Sequence, residues 1–307
     1  MTSTQPAAGS EQRLALGAGA GCYVIWGFMP LLFQYIGRHG GGAGEILAQR
    51  TVWAVPAAAI FVLLAHQQSQ FLAILREPKV LGPLALSAGL ISVNWVLFII
   101  SVNSGRVLET SLGYFITPLF NIAGGALMFR EKLGASAKIA IGLAVAGIAL
   151  QTVALGHLPL LSIILALSFS TYGLVRKRVA ADAQTGLLVE CLLLAVPGLV
   201  YIAVLERSGA GHFLSSPSIT FAFLMAGVIT AAPLVMFSWA ARRIPLSAIG
   251  FLQFITPSIT FFMGVLQGEP FTWLRGISFA FIWAGGAVFL WGAWRRSRAA
   301  APGQSAA

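Results

Sequence analysis

The chain has 307 residues, of which 58% are hydrophobic and 9% charged, with a mean hydropathy of +0.86 and a formal net charge of +10. A soluble domain of this length carries far more charge, so the composition excludes a soluble fold and assigns the chain to a bilayer. The basic residues sit in short clusters between apolar runs, where loop charges flanking membrane helices belong, and this sets aside nucleic acid as a partner.

A polar segment, 1–13, precedes the first apolar run, and without a small-residue cleavage site that run reads as a membrane helix. Runs of about 17 to 25 mainly apolar residues make spans. Ten follow: 14–36, 46–65, 80–102, 107–129, 136–155, 159–175, 186–205, 218–240, 246–266 and 272–294. Connections are short, no soluble domain is expected, and 295–307 forms a basic tail. Cys22 and Cys191 both lie inside apolar runs, so neither a disulfide framework nor a metal site is expected, and no cofactor.

With the N-terminus in the cytoplasm, fourteen of the nineteen Lys and Arg residues fall on the inner side and five, Arg38, Arg50, Arg106, Arg207 and Arg275, on the outer. That bias orients the chain with both termini inside.

The fourth span carries Glu109, Gly113, Thr117, Asn121, Gly124 and Met128 at steps of four, four, four, three and four, which keeps them within an arc of about 120°. The ninth repeats the arrangement with Gln253, Thr256, Thr260, Gly264 and Gln267, and Ile255 to Pro257 echoes the triplet Ile116 to Pro118. The second spans of the two halves end alike in Ala-Val-Pro, at Pro56 and Pro197. Each half holds five spans, and an odd number inverts the second copy. The expected fold is therefore all-α, with ten transmembrane helices in two inverted five-helix repeats, 14–155 and 159–294.

Seven segments then carry a family likeness, in order and across both halves: IWGFMPLLFQ, EILAQR, NWVLFI, RVLETSLGYFITP, YGLVRK, TGLLVE and LSAIGFLQFITP. Together they resemble the RarD proteins of the EamA branch of the drug/metabolite transporter superfamily. The resemblance implies a ten-helix permease of the bacterial cytoplasmic (inner) membrane, in a family described as chloramphenicol-sensitive, with the solute crossing between the halves. Gln49 stands where family members often have His, and Thr117 where they often have Asn. The first removes a group that titrates near neutral pH.

Candidate substrate-binding residues are Trp26, Asn94, Trp95, Tyr114, Thr117, Asn121, Tyr172, Gln253 and Thr256, where amides, hydroxyls and aromatic faces suit flat or cationic solutes. Ser87, Asn94 and Ser101 repeat every seven residues along one face, and Trp239 and Phe254 add aromatic surface. Candidates for coupling and gating are Gln49, Glu190, Pro118 and Pro257. Glu190 is an ionisable group inside a span, which either binds a cation or carries a proton, or is neutralised near the interface by Arg176, Lys177 or Arg178. Gln49 is its counterpart in the repeat, and Glu45, Gln49 and Arg50 alternatively form an outer-surface cluster. Glu109 reads first as a carboxylate favoured by the helix N-terminus. Pro118 and Pro257 permit bending.

These features point to a secondary-active transporter exporting small organic molecules such as drugs, amino acids or related metabolites by alternating access, acting as a monomer or homodimer in the lipid bilayer. An exchanger or an uptake permease for a small cation or metabolite is the alternative. A membrane enzyme fits poorly, because His39, His66, His157 and His212 all fall in loops.

Overall fold

The computed structural model describes residues 8–129, 134–241, 243–244 and 252–300. The side chains of 121–129, which include Asn121, Gly124 and Met128, lie outside the described residues, as do 245–251 at the start of the ninth expected span. Among the described residues the protein is entirely helical, with no strand. The helices are α1 (Ala8–Arg38), α2 (Ala43–Leu64), α3 (Gln68–Leu75), α4 (Pro78–Asn103), α5 (Val107–Phe129), α6 (Ala135–Leu155), α7 (Leu160–Arg178), α8 (Ala183–Arg207), α9 (Pro217–Ala241), α10 (Ile255–Leu266) and α11 (Trp273–Ala300).

Seven of these, α1, α2, α4, α6, α8, α9 and α11, are long and apolar enough to cross a membrane, and apolar stretches within α7 and α10 are shorter. Large side chains such as Leu64, Val145, Val153, Leu199 and Val200 point outward. In water that would be a liability; in lipid it is the expected outer surface. Starts and stops follow local chemistry. Pro78 opens α4 at a position where a missing amide hydrogen costs nothing. Gly156 closes α6 in the left-handed region at φ 73°.

Two details differ from the sequence reading. The connection 65–77 is not a plain turn, because Gln68–Leu75 forms α3 and buries Ile74. The ninth span is interrupted by a turn at Gln253 and Phe254, and α10 starts at Ile255, so Pro257 occupies its first turn, where no intrahelical bond is lost. Pro118, by contrast, is inside α5.

The most extensive packing joins helices distant in sequence. α2 lies along α8 and α9, α1 along α9 and α10, α7 along α4 and α5, α5 along α10, and α6 along α11. One buried cluster gathers Phe33, Ile46, Phe98, Leu165 and Phe223 from five helices, and a second gathers Leu112, Phe115, Phe261 and Phe279.

The small-residue stripe of α5 explains its contact with α7. A side chain at Gly113 would come within 2.9 Å of the Ser162 carbonyl, so only glycine permits this approach. Ser162 Oγ donates to the Glu109 carbonyl at 2.7 Å, and Ser170 Oγ to the Thr117 carbonyl at 3.2 Å. The stripe is thus an interhelical seam from Glu109 to Thr117.

The N-terminus of α5 is held by Glu269, from the α10–α11 connection. Its two carboxylate oxygens accept the backbone N–H groups of Val107 and of Leu108, the latter at 2.9 Å. Glu109 is occupied elsewhere, receiving two bonds from Arg106 at 2.9 and 2.8 Å. Glu269→Ala strips the cap and is expected to cost about 0.5–2 kcal/mol. Thermal unfolding in detergent reads this directly, and an unchanged midpoint would assign the cap no net weight.

Candidate functional site

A cavity of about 170 Å³ lies where α1, α2, α4 and α5 face α7, α8, α9 and the start of α10. Of the residues singled out from sequence, Trp26, Trp95, Tyr114, Tyr172, Glu190, Gln253, Thr256 and Pro257 stand on its wall. They come from six segments spread over some 230 positions of chain, brought together by the long-range helix pairings.

Seven of the seventeen wall residues are aromatic. Edge-on contacts run from Phe33 to Phe98 at 6.2 Å, Phe98 to Tyr114 at 5.7 Å and Tyr114 to Phe169 at 6.1 Å, and Phe169 meets Tyr172 at 6.0 Å. Tyr23 and Trp26 pair at 5.6 Å on the other side. Such rings lock one another in offset geometry and give the cavity stiff, flat walls.

Asn94 does not reach the cavity. It is fully buried behind Tyr114, donating to the Leu165 carbonyl at 2.8 Å and to Ser168 Oγ at 3.0 Å, while its carbonyl oxygen accepts the Tyr114 hydroxyl at 3.2 Å. It therefore ties α4 to α7 and aims a wall residue. Thr117 is also away from the cavity, with its hydroxyl returned to the Gly113 carbonyl at 2.9 Å. Trp239 lies under Arg243 and Phe254 packs on Phe115, so neither aromatic lines the wall. Thr256 Oγ1 donates to the Tyr23 carbonyl at 2.7 Å and joins α10 to α1.

Glu190, 3% exposed, sits at the centre of a four-membered cluster. Ser87 Oγ donates to its Oε1, Tyr172 OH to its Oε2 at 3.2 Å, and Arg176 Nε approaches Oε1 at 3.5 Å. Ser87 is thus the first member of the seven-residue polar repeat on α4, bonded across to α8. Of the neutralising cations named from sequence, Arg176 contacts it, and the side chain of Lys177 lies outside the described residues. Its guanidinium lies over Gly186, one turn before Glu190, where any side chain would collide with it.

The outer-surface alternative for Glu45, Gln49 and Arg50 is overturned, because all three are at most 3% exposed. Glu45 accepts the His212 backbone N–H at 2.7 Å and faces its ring Nδ1 at 3.0 Å. Gln49 accepts Trp53 Nε1 at 3.0 Å and is one residue short of the cavity wall. Arg50 is on the wall itself and was missed, having been counted among loop charges. Its Nε donates to Thr230 Oγ1 at 3.0 Å and its Cζ lies 4.0 Å from the Trp95 ring centre. The signal was present: an arginine inside an apolar run is a functional candidate by default. Tyr23, Phe98, Phe169 and Thr230 also line the cavity without having been singled out.

Away from the cavity, Gln34 and Gln267 exchange side-chain bonds at 3.0 and 2.8 Å, and Gln34 Nε2 also reaches the Val102 carbonyl at 3.0 Å. This amide pair seals α1 against α4 and α10 at the ends that lead to Arg38 and Asn103.

No family model matches the chain. Individual relatives do. Protein RarD of Streptomyces exfoliatus is 38% identical over 292 residues, covering 94% of this chain and 92% of its own. An uncharacterized transporter of Vibrio cholerae serotype O1 is 36% identical over 291 residues, 94% of each chain. A solved crystal structure superposes with a TM-score of 0.61 at 18% identity, covering 92% of this chain and 98% of that one, a likeness of fold alone. The relatives and the apolar helices together define a multi-pass membrane transporter with a small-molecule substrate and a lipid environment. With that identity sustained over more than nine-tenths of its length, the chain belongs to the RarD family of transporters.

Proposed function

We propose that the protein is a secondary-active permease of the bacterial inner membrane that exports small organic molecules by alternating access. Two inverted five-helix repeats, 14–155 and 159–294, rock about the cavity, with both termini in the cytoplasm. The observation that carries this reading is the cavity itself, walled by α1, α2, α4 and α5 from one half and α7 to α10 from the other.

The helix pairings support the repeats. Exchanging α1, α2, α4, α5 and α6 for α7, α8, α9, α10 and α11 carries the α1·α9 contact onto α7·α4, α2·α9 onto α8·α4, and α5·α7 onto α10·α1. The α2·α8, α5·α10 and α6·α11 pairs map onto themselves, as contacts across a pseudo-two-fold axis must. A repeat-swapped conformation is then reachable without new kinds of contact.

In this reading the Gln34–Gln267 seam and the Glu190 cluster act as gates towards opposite sides. Each joins helices from both halves, α1 to α10 in one case and α4 to α8 in the other. Glu190 is also the residue proposed to carry an exchanged proton, while Gln49 holds the matching depth in the other half without titrating. One chain encloses the whole cavity, which lets a monomer or each member of a homodimer work alone.

The test is reconstitution in liposomes, with counterflow of radiolabelled chloramphenicol, amino acids, nucleosides, amines and aromatic acids. Saturable flux of at least one solute, absent from empty vesicles, is the expected result. A folded preparation that moves none of them would remove the permease reading.

A further inference from the structure

Resting on the permease reading, the two charged groups on the cavity wall name a solute class, because they are not equivalent. Glu190 is engaged on both oxygens, by Ser87, Arg176 and Tyr172. Its charge is balanced by Arg176 before any solute arrives.

Arg50 is engaged at Nε alone, by the neutral hydroxyl of Thr230. Its side chain is 3% exposed and lies between the Trp95 ring, 4.0 Å away, and the Phe33 ring, 5.4 Å away. Among the described residues its two terminal nitrogens have no hydrogen-bond acceptor and no carboxylate is paired with it. Glu45, just over a turn earlier on α2, is taken up by His212.

The terminal nitrogens of Arg50 open on the cavity, where only water or a solute can accept from them, and arginine inside a membrane span ordinarily has an anionic or carbonyl partner. The planar fork of its terminal nitrogens matches one chemistry above others, a carboxylate taken through two parallel N–H···O bonds. The surrounding rings supply a dry, flat surface for the remainder of such a solute. A cationic solute is disfavoured twice. It meets an uncompensated positive charge, and the Trp95 face on which it would sit already carries Arg50.

We infer that the cavity binds a monoanionic organic acid with an aromatic or apolar body, its carboxylate paired to Arg50 and its body lying among Trp26, Trp95 and Tyr114. The free amide of Gln253, on the same wall with no partner among the described residues, is placed to select among bodies that carry a polar substituent.

A matched series tests this: phenylacetate, phenylacetamide and phenethylamine, titrated against purified protein and read by tryptophan fluorescence and thermal unfolding. The acid is expected to bind at least about tenfold more tightly than the amide, and the amine more weakly still. Arg50→Lys keeps the charge without the fork and is expected to reduce acid binding several-fold. Arg50→Gln is expected to abolish the preference for acid over amide. Equal or tighter binding of amide or amine by the wild type overturns the inference whether or not either variant folds. So does failure of the acid to bind, or a preference that survives in folded Arg50→Gln. The same acid is then offered as competitor in the counterflow assay. Undiminished flux of another solute would sink this inference and leave the permease reading standing. Binding of the acid by a protein that transports nothing would do the reverse.

Discussion

Glu190→Ala is expected to destabilise the folded protein by about 3–5 kcal/mol, the cost of removing one partner of a buried ion pair. The substitution leaves Arg176 without its carboxylate, and its Nη1 is already buried without a partner. It also strands the Tyr172 hydroxyl, whereas Ser87 Oγ keeps the Leu84 carbonyl at 2.9 Å as an acceptor. Glu190→Gln keeps one oxygen in place and is expected to cost less, about 1–3 kcal/mol. Thermal unfolding in detergent ranks the two. Adding Arg176→Ala to Glu190→Ala should recover part of the loss, because the second change removes the orphaned charge. A double variant as unstable as the sum of the singles would show that the pair is not coupled. The same Gln variant addresses coupling: if Glu190 carries the exchanged proton, a pH gradient no longer drives flux, and pH-driven flux that continues unchanged withdraws that role.

Gly227→Ala is expected to be nearly as damaging. Glycine at this point of α9 lets its backbone touch α2, and a methyl group there would lie 2.6 Å from Trp53 Cβ and closer still to the Trp53 backbone. Main chain cannot swing aside as a side-chain end can, so the helices must part. Overpacking of this kind costs about 1–3 kcal/mol and occasionally more. The parting would also pull on Thr230, one turn further along α9, and on the Arg50 it holds. Gly142→Ala in α6 is the matched control, since nothing lies within 4 Å of the added carbon. There the helix propensity of alanine should stabilise by about 0.5–1 kcal/mol. Gel-filtration yield and unfolding midpoints of the two variants should move in opposite directions, and movement together would refute the packing argument.

Much of the fold was legible because lipid imposes a simple rule, that every backbone amide be satisfied within its own segment. Apolar run length therefore located α2, α4, α6, α8 and α9 to within three residues at each end, while α1 starts and α11 ends six residues beyond the runs, where polar residues extend the helix. What the runs do not encode is the direction in which a polar face points. The α5 stripe has the periodicity of a lining face, yet from Glu109 to Thr117 it lies against α7, since small residues serve close helix contact as readily as solute contact. Tyr114, just beside that stripe, reaches the cavity instead. Depth is equally hidden. Arg50 stands near the beginning of an apolar run, where a charge count assigns it to a loop, and only the packing of α2 against α4 and α9 encloses it. Asn94 illustrates a third limit: an amide that orients a wall residue has the same sequence signature as one that touches a solute.

The dominance of long-range helix pairings bears on how the chain is made. Helices enter the bilayer one after another during synthesis, and α2 finds its principal partners, α8 and α9, more than a hundred residues after it has been inserted. Until then Glu45 lacks His212, and Arg50 lacks Thr230. A ribosome that has finished α6 has therefore delivered membrane-spanning helices that still lack many of their polar contacts, those of Glu45, Arg50 and the Asn94 amide nitrogen among them. Assembly is bound to be late and concerted, and the nascent first half is the form most open to quality-control proteases. Two co-expressed fragments cut between α6 and α7 would have to find each other in the membrane before either could persist.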